Sequence, residues 1–131
     1  MNIKSIYWLA GILEGEGCFS LHSHIKRSKI KYNSGYRVSV TPIIRMSSTD
    51  LDIVKRVSDV LGATCQITMQ RRKPNKNYYT TTIFGNKAVA WMMTLYSLMG
   101  NRRKERIKSI IMQWKSEFKE LRDKVGNLTG E

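Results

Sequence analysis

The sequence predicts an α+β domain: a mixed antiparallel four-stranded sheet with helices on one face, in the order αββαββα plus a C-terminal helix. Three observations lead there. Four stretches read as strands, in two pairs, and each pair is joined by a charged, turn-forming segment. Apolar residues at helical spacing precede the first pair and follow both. Gly17 and Gly62 stand where helices would stop.

Residues 6–15 are apolar and small and read as a helix ending at Gly17. From 18 to 26, Phe19, Leu21 and Ile25 alternate with Ser20, His22, His24 and Lys26, a strand with one buried and one polar, partly basic face. Residues 27–35 (RSKIKYNSG) form a connecting loop. A second alternation sets Tyr36, Val38, Val40, Ile44 and Met46 against Arg37, Ser39, Thr41 and Arg45. Pro42 has no N–H to give a ladder, so an edge position or a bulge is expected there.

Ser48-Thr49-Asp50 offers an N-cap to a helix with Leu51, Ile53, Val54, Val57, Val60 and Leu61 on one stripe, closed by Gly62. Strands over 63–72 and 78–84 flank the turn-rich Lys73-Pro74-Asn75-Lys76-Asn77. In the first, Cys65, Ile67 and Met69 oppose Gln66, Thr68, Gln70 and Arg72. In the second, Tyr79, Thr80, Thr81 and Thr82 do not separate by polarity. Residues 86–99 read as a buried helix, and a final helix starts near Arg102 with Ile107, Ile110, Ile111, Trp114, Phe118 and Leu121 at helical spacing. One domain spans 1–131, with 124–131 expected as a loose tail.

Lys and Arg outnumber Asp and Glu by 23 to 10, a net charge of +13, which invites a polyanionic partner. No apolar run reaches the ~18 residues of a membrane span, and no basic amphipathic surface helix stands out, so no membrane partner is expected. The first residues lack the pattern of a secretory signal, and the expectation is a soluble protein working where it is made. Cys18 and Cys65 have no metal-ligand spacing, and His22 with His24 lack a third ligand. The sheet face opposite the helices would carry Arg37, Arg45, Arg72 and a set of Gln, Thr and Ser side chains. A bare, basic, hydrogen-bonding face suits DNA, because a β-ribbon fits the major groove.

Residues Leu9-Ala10-Gly11-Ile12-Leu13-Glu14-Gly15-Glu16-Gly17, followed by Cys18-Phe19, closely resemble the signature of the LAGLIDADG homing endonuclease family in its Gly-Glu-Gly variant. The element order on either side is similar to the family core. Gly11 and Gly15 lie one turn apart on one helix face, where small residues let a second backbone come close. Only one copy of the motif is present, so the partner helix is expected from a second chain, in a two-fold homodimer joined through Tyr7, Ala10, Gly11, Glu14 and Gly15.

Glu16 sits at the helix end, near the negative pole of the dipole and near its own twin in such a dimer, an arrangement that calls for cations. The resemblance implies that Glu16 binds metal and is catalytic, helped by the Gly15 carbonyl. The ions would be Mg²⁺ or Mn²⁺, two or more per dimer near the axis. Asp is commoner than Glu at this last acidic position in the family. Glu14, about 200° away around the helix, is expected to be structural or to cap a loop.

Arg102-Arg103-Lys104 with Arg106 is the candidate basic cluster, Arg103 and Lys104 foremost, because family members place a catalytic-pocket lysine near the start of this helix. A polar residue after the second strand also joins the pocket in the family. Arg45, Met46 and Ser47 compete for that place, and Met46 cannot perform it.

The implied function is site-specific double-strand DNA cleavage with one staggered cut per strand, on a long near-palindromic site, in the setting of intron homing. Base reading would fall to Ser20, His22, His24, Lys26, Arg37, Ser39, Thr41, Arg45, Gln66, Thr68, Gln70 and Arg72. The loop residues Lys29, Lys31, Arg71, Lys73 and Lys76 would touch phosphates. Some family members assist splicing of their host intron, so an RNA maturase is an alternative, as is a DNA binder of this fold that does not cut. An intact Glu16 favours the nuclease. The expected place of action is inside the cell beside the target DNA: a bacterium, a phage-infected cell or an organelle.

Overall fold

The computed structural model describes residues 2–27, 36–69 and 77–128, with side chains placed at 2–23, 40–66 and 78–117. The chain runs α1 (Ile3–Glu16), β1 (Gly17–Arg27), β2 (Tyr36–Ser48), α2 (Leu51–Leu61), β3 (Cys65–Met69), β4 (Asn77–Phe84), α3 (Asn86–Leu95) with a 3₁₀ turn (Tyr96–Leu98), and α4 (Asn101–Leu128). The order is the one the sequence predicts. The strands form one sheet, β1-β2-β4-β3, and every pairing is antiparallel.

Helix α1 begins earlier than its apolar stripe because Asn2 caps it, its side chain accepting from Lys4 N at 2.9 Å. Asp50 caps α2 in the same way, accepting from Asp52 N at 3.1 Å, and Gly62 closes it in the left-handed conformation at φ 69°. Helix α4 extends to Leu128, into the segment 124–131 expected as a tail, and 129–131 lie outside the described residues. Among the described residues, no helix is long and apolar enough to cross a membrane.

The β1-β2 ladder is continuous from Gly17↔Met46 to Arg27↔Tyr36, so Pro42 makes no bulge. Its carbonyl accepts from Gly85 N at 2.9 Å, so the missing N–H faces the point where β4 ends. Beyond it no strand among the described residues pairs with that side of β2, and Val40 N donates to the Glu117 carboxylate of α4 at 3.2 Å.

Residues opposed in an antiparallel register share a face, which settles the faces of β4. Phe19, Ile44 and Ile83 form one buried row, and Met46 and Thr81 another. These rows join Leu9 and Leu13 of α1, Val54, Val57 and Leu61 of α2, Met92 and Leu95 of α3, and Ile107 and Ile110 of α4 in one core. Each such large side chain contributes about 1.5–3 kcal/mol by leaving water. Arg56 of α2 lies 4.0 Å from the Trp8 ring centre, tying α1 to α2 at the rim. The opposite rows, Cys18-Arg45-Thr82 and Ser20-Ile43-Phe84, turn away from the helices.

Candidate active site and nucleic-acid face

Helix α1 buries Leu9, Ala10 and Leu13 and presents Ile3, Tyr7, Gly11 and Gly15, four apart, to solvent. Ile3 is 63% exposed and Tyr7 58%. A Cβ added at Gly11 or Gly15 would meet nothing within 4 Å among the described residues, so packing within those residues does not explain either glycine. Ala10, expected on the dimer face, is instead only 4% exposed and packs into the core, because the 100° step per residue turns it inward from Gly11.

Gly17 is explained within the chain. Its N–H caps Leu13 O, and a Cβ there would lie 2.7 Å from Leu13 O and 2.8 Å from Leu13 Cδ2. The chain can turn from helix into strand over Leu13 only without a side chain. That turn leaves Glu16, the last helical residue, exposed at the helix end.

A helix end leaves its last four carbonyls without intrahelical partners. Leu13 O is taken by Gly17 N, and Glu14 O accepts from Arg103 Nη2 at 3.1 Å. The carbonyls of Gly15 and Glu16 follow, both on exposed residues. Arg103 also stacks on Phe19, its guanidinium carbon 5.8 Å from the ring centre, and its Nε is buried with no hydrogen-bond partner among the described residues. Arg106 Nε donates to Phe19 O at 3.2 Å, and Lys104 Nζ lies 5.8 Å from the Tyr96 ring centre. At the start of α4, Arg103 therefore braces the C-terminal end of α1 and Arg106 braces β1, while Lys104 lies beside the 3₁₀ turn.

Glu14 holds the reciprocal contact. Its Oε2 accepts from Gly100 N at 3.1 Å, and the Gly100 carbonyl accepts the first helical bond of α4, from Lys104 N at 2.9 Å. The carboxylate thus sits at the positive end of α4, a favourable place for an acid. A Cβ at Gly100 would lie 2.6 Å from Glu14 Oε1, so glycine is what admits it. Glu14 thus joins the end of α1 to the start of α4. Its partner at Gly100 carried no signal in the sequence.

On the open sheet face, Arg45 is opposite Cys18, two residues beyond Glu16, and both are exposed. Met46 is 1% exposed in the core, which leaves Arg45 and Ser47 at the place after the second strand. Ser47 Oγ and Thr80 Oγ1 are 2.9 Å apart, and Gln66 continues that row on β3. Ser20, His22, Thr41, Arg45 and Gln66 share the open face, by register and exposure.

The backbone register sets His24↔Ser39, Lys26↔Arg37 and Thr68↔Tyr78, but these side chains, Tyr78 apart, lie outside the described ones. Lys29, Lys31, Gln70, Arg71, Arg72, Lys73 and Lys76 lie outside the described residues altogether. Thr80, Thr82, Ile43 and Phe84 also belong to this face, and the sequence reading missed them. The alternation Tyr78, Thr80, Thr82, Phe84 was the available signal, blurred because both faces of β4 carry Thr and Tyr.

The profile of the family described as LAGLIDADG endonuclease matches residues 9–113. Among solved structures, the fold is similar to that of the homing endonuclease I-CvuI in complex with its target, with 23% identity, 97% of this chain and 85% of that chain covered, and a TM-score of 0.60. It is also similar to the group I intron-encoded homing endonuclease I-CeuI complexed with DNA, with 15% identity and a TM-score of 0.60. There 87% of this chain is covered but only 55% of the other, so this chain spans about half of that protein. For I-GzeII in complex with its DNA target the values are 16% identity, 86% and 36% coverage, and a TM-score of 0.55. No curated protein matches the sequence. With the motif at the end of α1, the αββαββα order and a family match across most of its length, this chain belongs to the LAGLIDADG endonuclease family.

Proposed function

We propose that this chain is a site-specific homing endonuclease that works as a homodimer, hydrolysing one phosphodiester bond per strand, in a staggered pair, within a long near-palindromic DNA site. The observation that carries this reading is the exposed stripe of α1. Gly11 and Gly15 each cost about 1 kcal/mol of helix stability relative to Ala, and among the described residues nothing outside their own helix lies within 4 Å of a Cβ added at either. A second α1 packed along the stripe accounts for them and sets two copies of Glu16 side by side.

Two carboxylates at two helix C-termini repel one another, and the remedy is a hard divalent cation. Glu16 with the Gly15 carbonyl offers hard oxygen donors of the kind Mg²⁺ or Mn²⁺ takes. Among the described residues, no three acidic, His or Cys side chains gather in one chain, so the twin Glu16 and a DNA phosphate are the natural completion. When bound there, two or more such ions per dimer would supply Lewis-acid polarisation of the phosphate and a bound water of lowered pKa.

The protein's own part is positioning. Arg103 and Glu14 hold the end of α1 against α4, and Arg45 places positive charge beside the strand that leaves Glu16. The open sheet face supplies Arg, Gln, His, Ser and Thr to base edges, while the net charge of +13 draws the phosphate backbone. The solved relatives of this fold that are complexed with DNA support DNA as the partner.

The test is cleavage of a plasmid library of candidate insertion sites by the parent chain and by Glu16→Gln, in Mg²⁺ and in Ca²⁺. The expected result is double-strand cuts in Mg²⁺ that fall on the order of 10²-fold or more in the variant while site binding persists. Tight, salt-sensitive binding without cuts in either metal would refute the nuclease and leave a binder of DNA or of intron RNA.

A further inference from the structure

Of the large apolar side chains among the described residues, Phe84 is the most exposed at 67%, and it stands on the sheet face that also carries Ser20, His22, Arg45 and Gln66. Its position is fixed rather than adaptable. It closes the β2-β4 ladder opposite Ile43, Gly85 N is bonded to Pro42 O at 2.9 Å immediately after it, and Gly85 at φ 74° then turns the chain into α3. Across the ladder Ile43 is half-buried, and Ser20 completes the row. Directly opposed side chains on neighbouring strands are close enough to touch. Phe84 and Ile43 therefore form a two-residue apolar patch, one row outward from Cys18-Arg45-Thr82.

We propose that Phe84, with Ile43 beside it, reads the 5-methyl group of a pyrimidine in the major groove. This rests on the reading of the sheet face as a DNA interface. The major-groove edges of the bases offer hydrogen-bond donors and acceptors everywhere except at one apolar feature, the C5-methyl group. Arg45, His22 and Gln66 present polar ends to that group, whereas an exposed phenyl ring beside an aliphatic side chain presents an apolar surface. Successive same-face rows on a strand are about 6.6–6.8 Å apart, close to two base-pair steps of about 3.4 Å each. The methyl group is therefore expected about two base pairs outward from the position contacted by Arg45. Thymine carries this methyl group, and so does 5-methylcytosine.

The test selects sites for the full chain from a pool of duplexes with randomised half-sites, in Ca²⁺, and then measures binding to the selected duplex with that position altered. Parent chain is expected to select thymine at one fixed position in each half-site. Replacing it by deoxyuridine should weaken binding about fourfold per half-site, the effect of one buried methyl group. Cytosine there should bind better by a similar factor once methylated at C5. Phe84→Ser should lose both preferences while the rest of the selected site is unchanged, and Phe84→Leu should keep them in part.

Equal binding of thymine and deoxyuridine duplexes by the parent would overturn this assignment and leave the DNA interface intact. A chain that selects no sequence at all overturns the interface reading and this one with it. If Phe84→Ser alters sedimentation but not the selected sequence, the patch joins copies of the protein and the methyl assignment fails.

Discussion

Gly17→Ala gives the sharpest test of how the helix end is built. The new methyl carbon would lie 2.7 Å from Leu13 O, 2.8 Å from Leu13 Cδ2 and 2.9 Å from Leu13 Cα, and two of these three atoms are backbone. Such overlaps cannot be relieved by one side-chain rotation, so the last turn of α1 must open. Overpacking of this kind costs about 1–3 kcal/mol. The loss of backbone freedom in the unfolded chain returns about 0.4–1 kcal/mol, because Gly17 at φ −80° has a backbone that alanine accepts. Taking the midpoints of the two, the net expectation is a destabilisation of about 1.3 kcal/mol. For a domain of this size each kcal/mol moves the midpoint by about 3–5 °C. Thermal and urea unfolding measure it, and nicking of a target duplex reports whether Glu16, one residue away, has moved. A variant as stable as the parent would refute the close approach to Leu13 and with it the placement of Glu16.

Further expectations concern the faces of α1. Gly11→Leu should fold, since among the described residues nothing lies within 4 Å of an added Cβ, but should sediment as a monomer and lose cleavage; a stable active dimer would rule out the α1 stripe as the interface. Glu14→Ala should cost about 0.5–2 kcal/mol through loss of the α4 cap, whereas Glu14→Gln should retain most stability. Thermal melts of both variants decide, and equal losses would show that charge at the α4 N-terminus matters more than the hydrogen bond to Gly100 N. In a salt titration of DNA affinity, Arg45→Ala should flatten the slope by less than one unit if Arg45 reads a base, and by about one if it neutralises a phosphate.

The fold was legible because its signals are local. Two alternating strand pairs, the Asp50 cap, the glycine stops at Gly17 and Gly62 and the motif at 9–17 each show their period or turn chemistry within a few residues. β4 resisted because Thr and Tyr occupy both of its faces. Only the register Ile44↔Ile83 and Met46↔Thr81 assigned Thr81 to the core and Thr80, Thr82 and Phe84 to the open side. The helical tail to Leu128 likewise shows no apolar period strong enough to announce it.

By itself the sequence determined the family motif, the acid at its end, the basic character and the split of β1 and β2 into an inner and an outer face. These depend on residue type at short spacing, which a linear chain states directly. Only the tertiary structure decided that Ala10 turns inward while Gly11 and Gly15 stay open, that Glu14 caps α4 at Gly100, 86 positions away, and that Arg103 braces the Glu14 carbonyl. Contacts between residues so far apart are set by how helices and sheet pack, and packing depends on the whole core rather than on any one stretch of it.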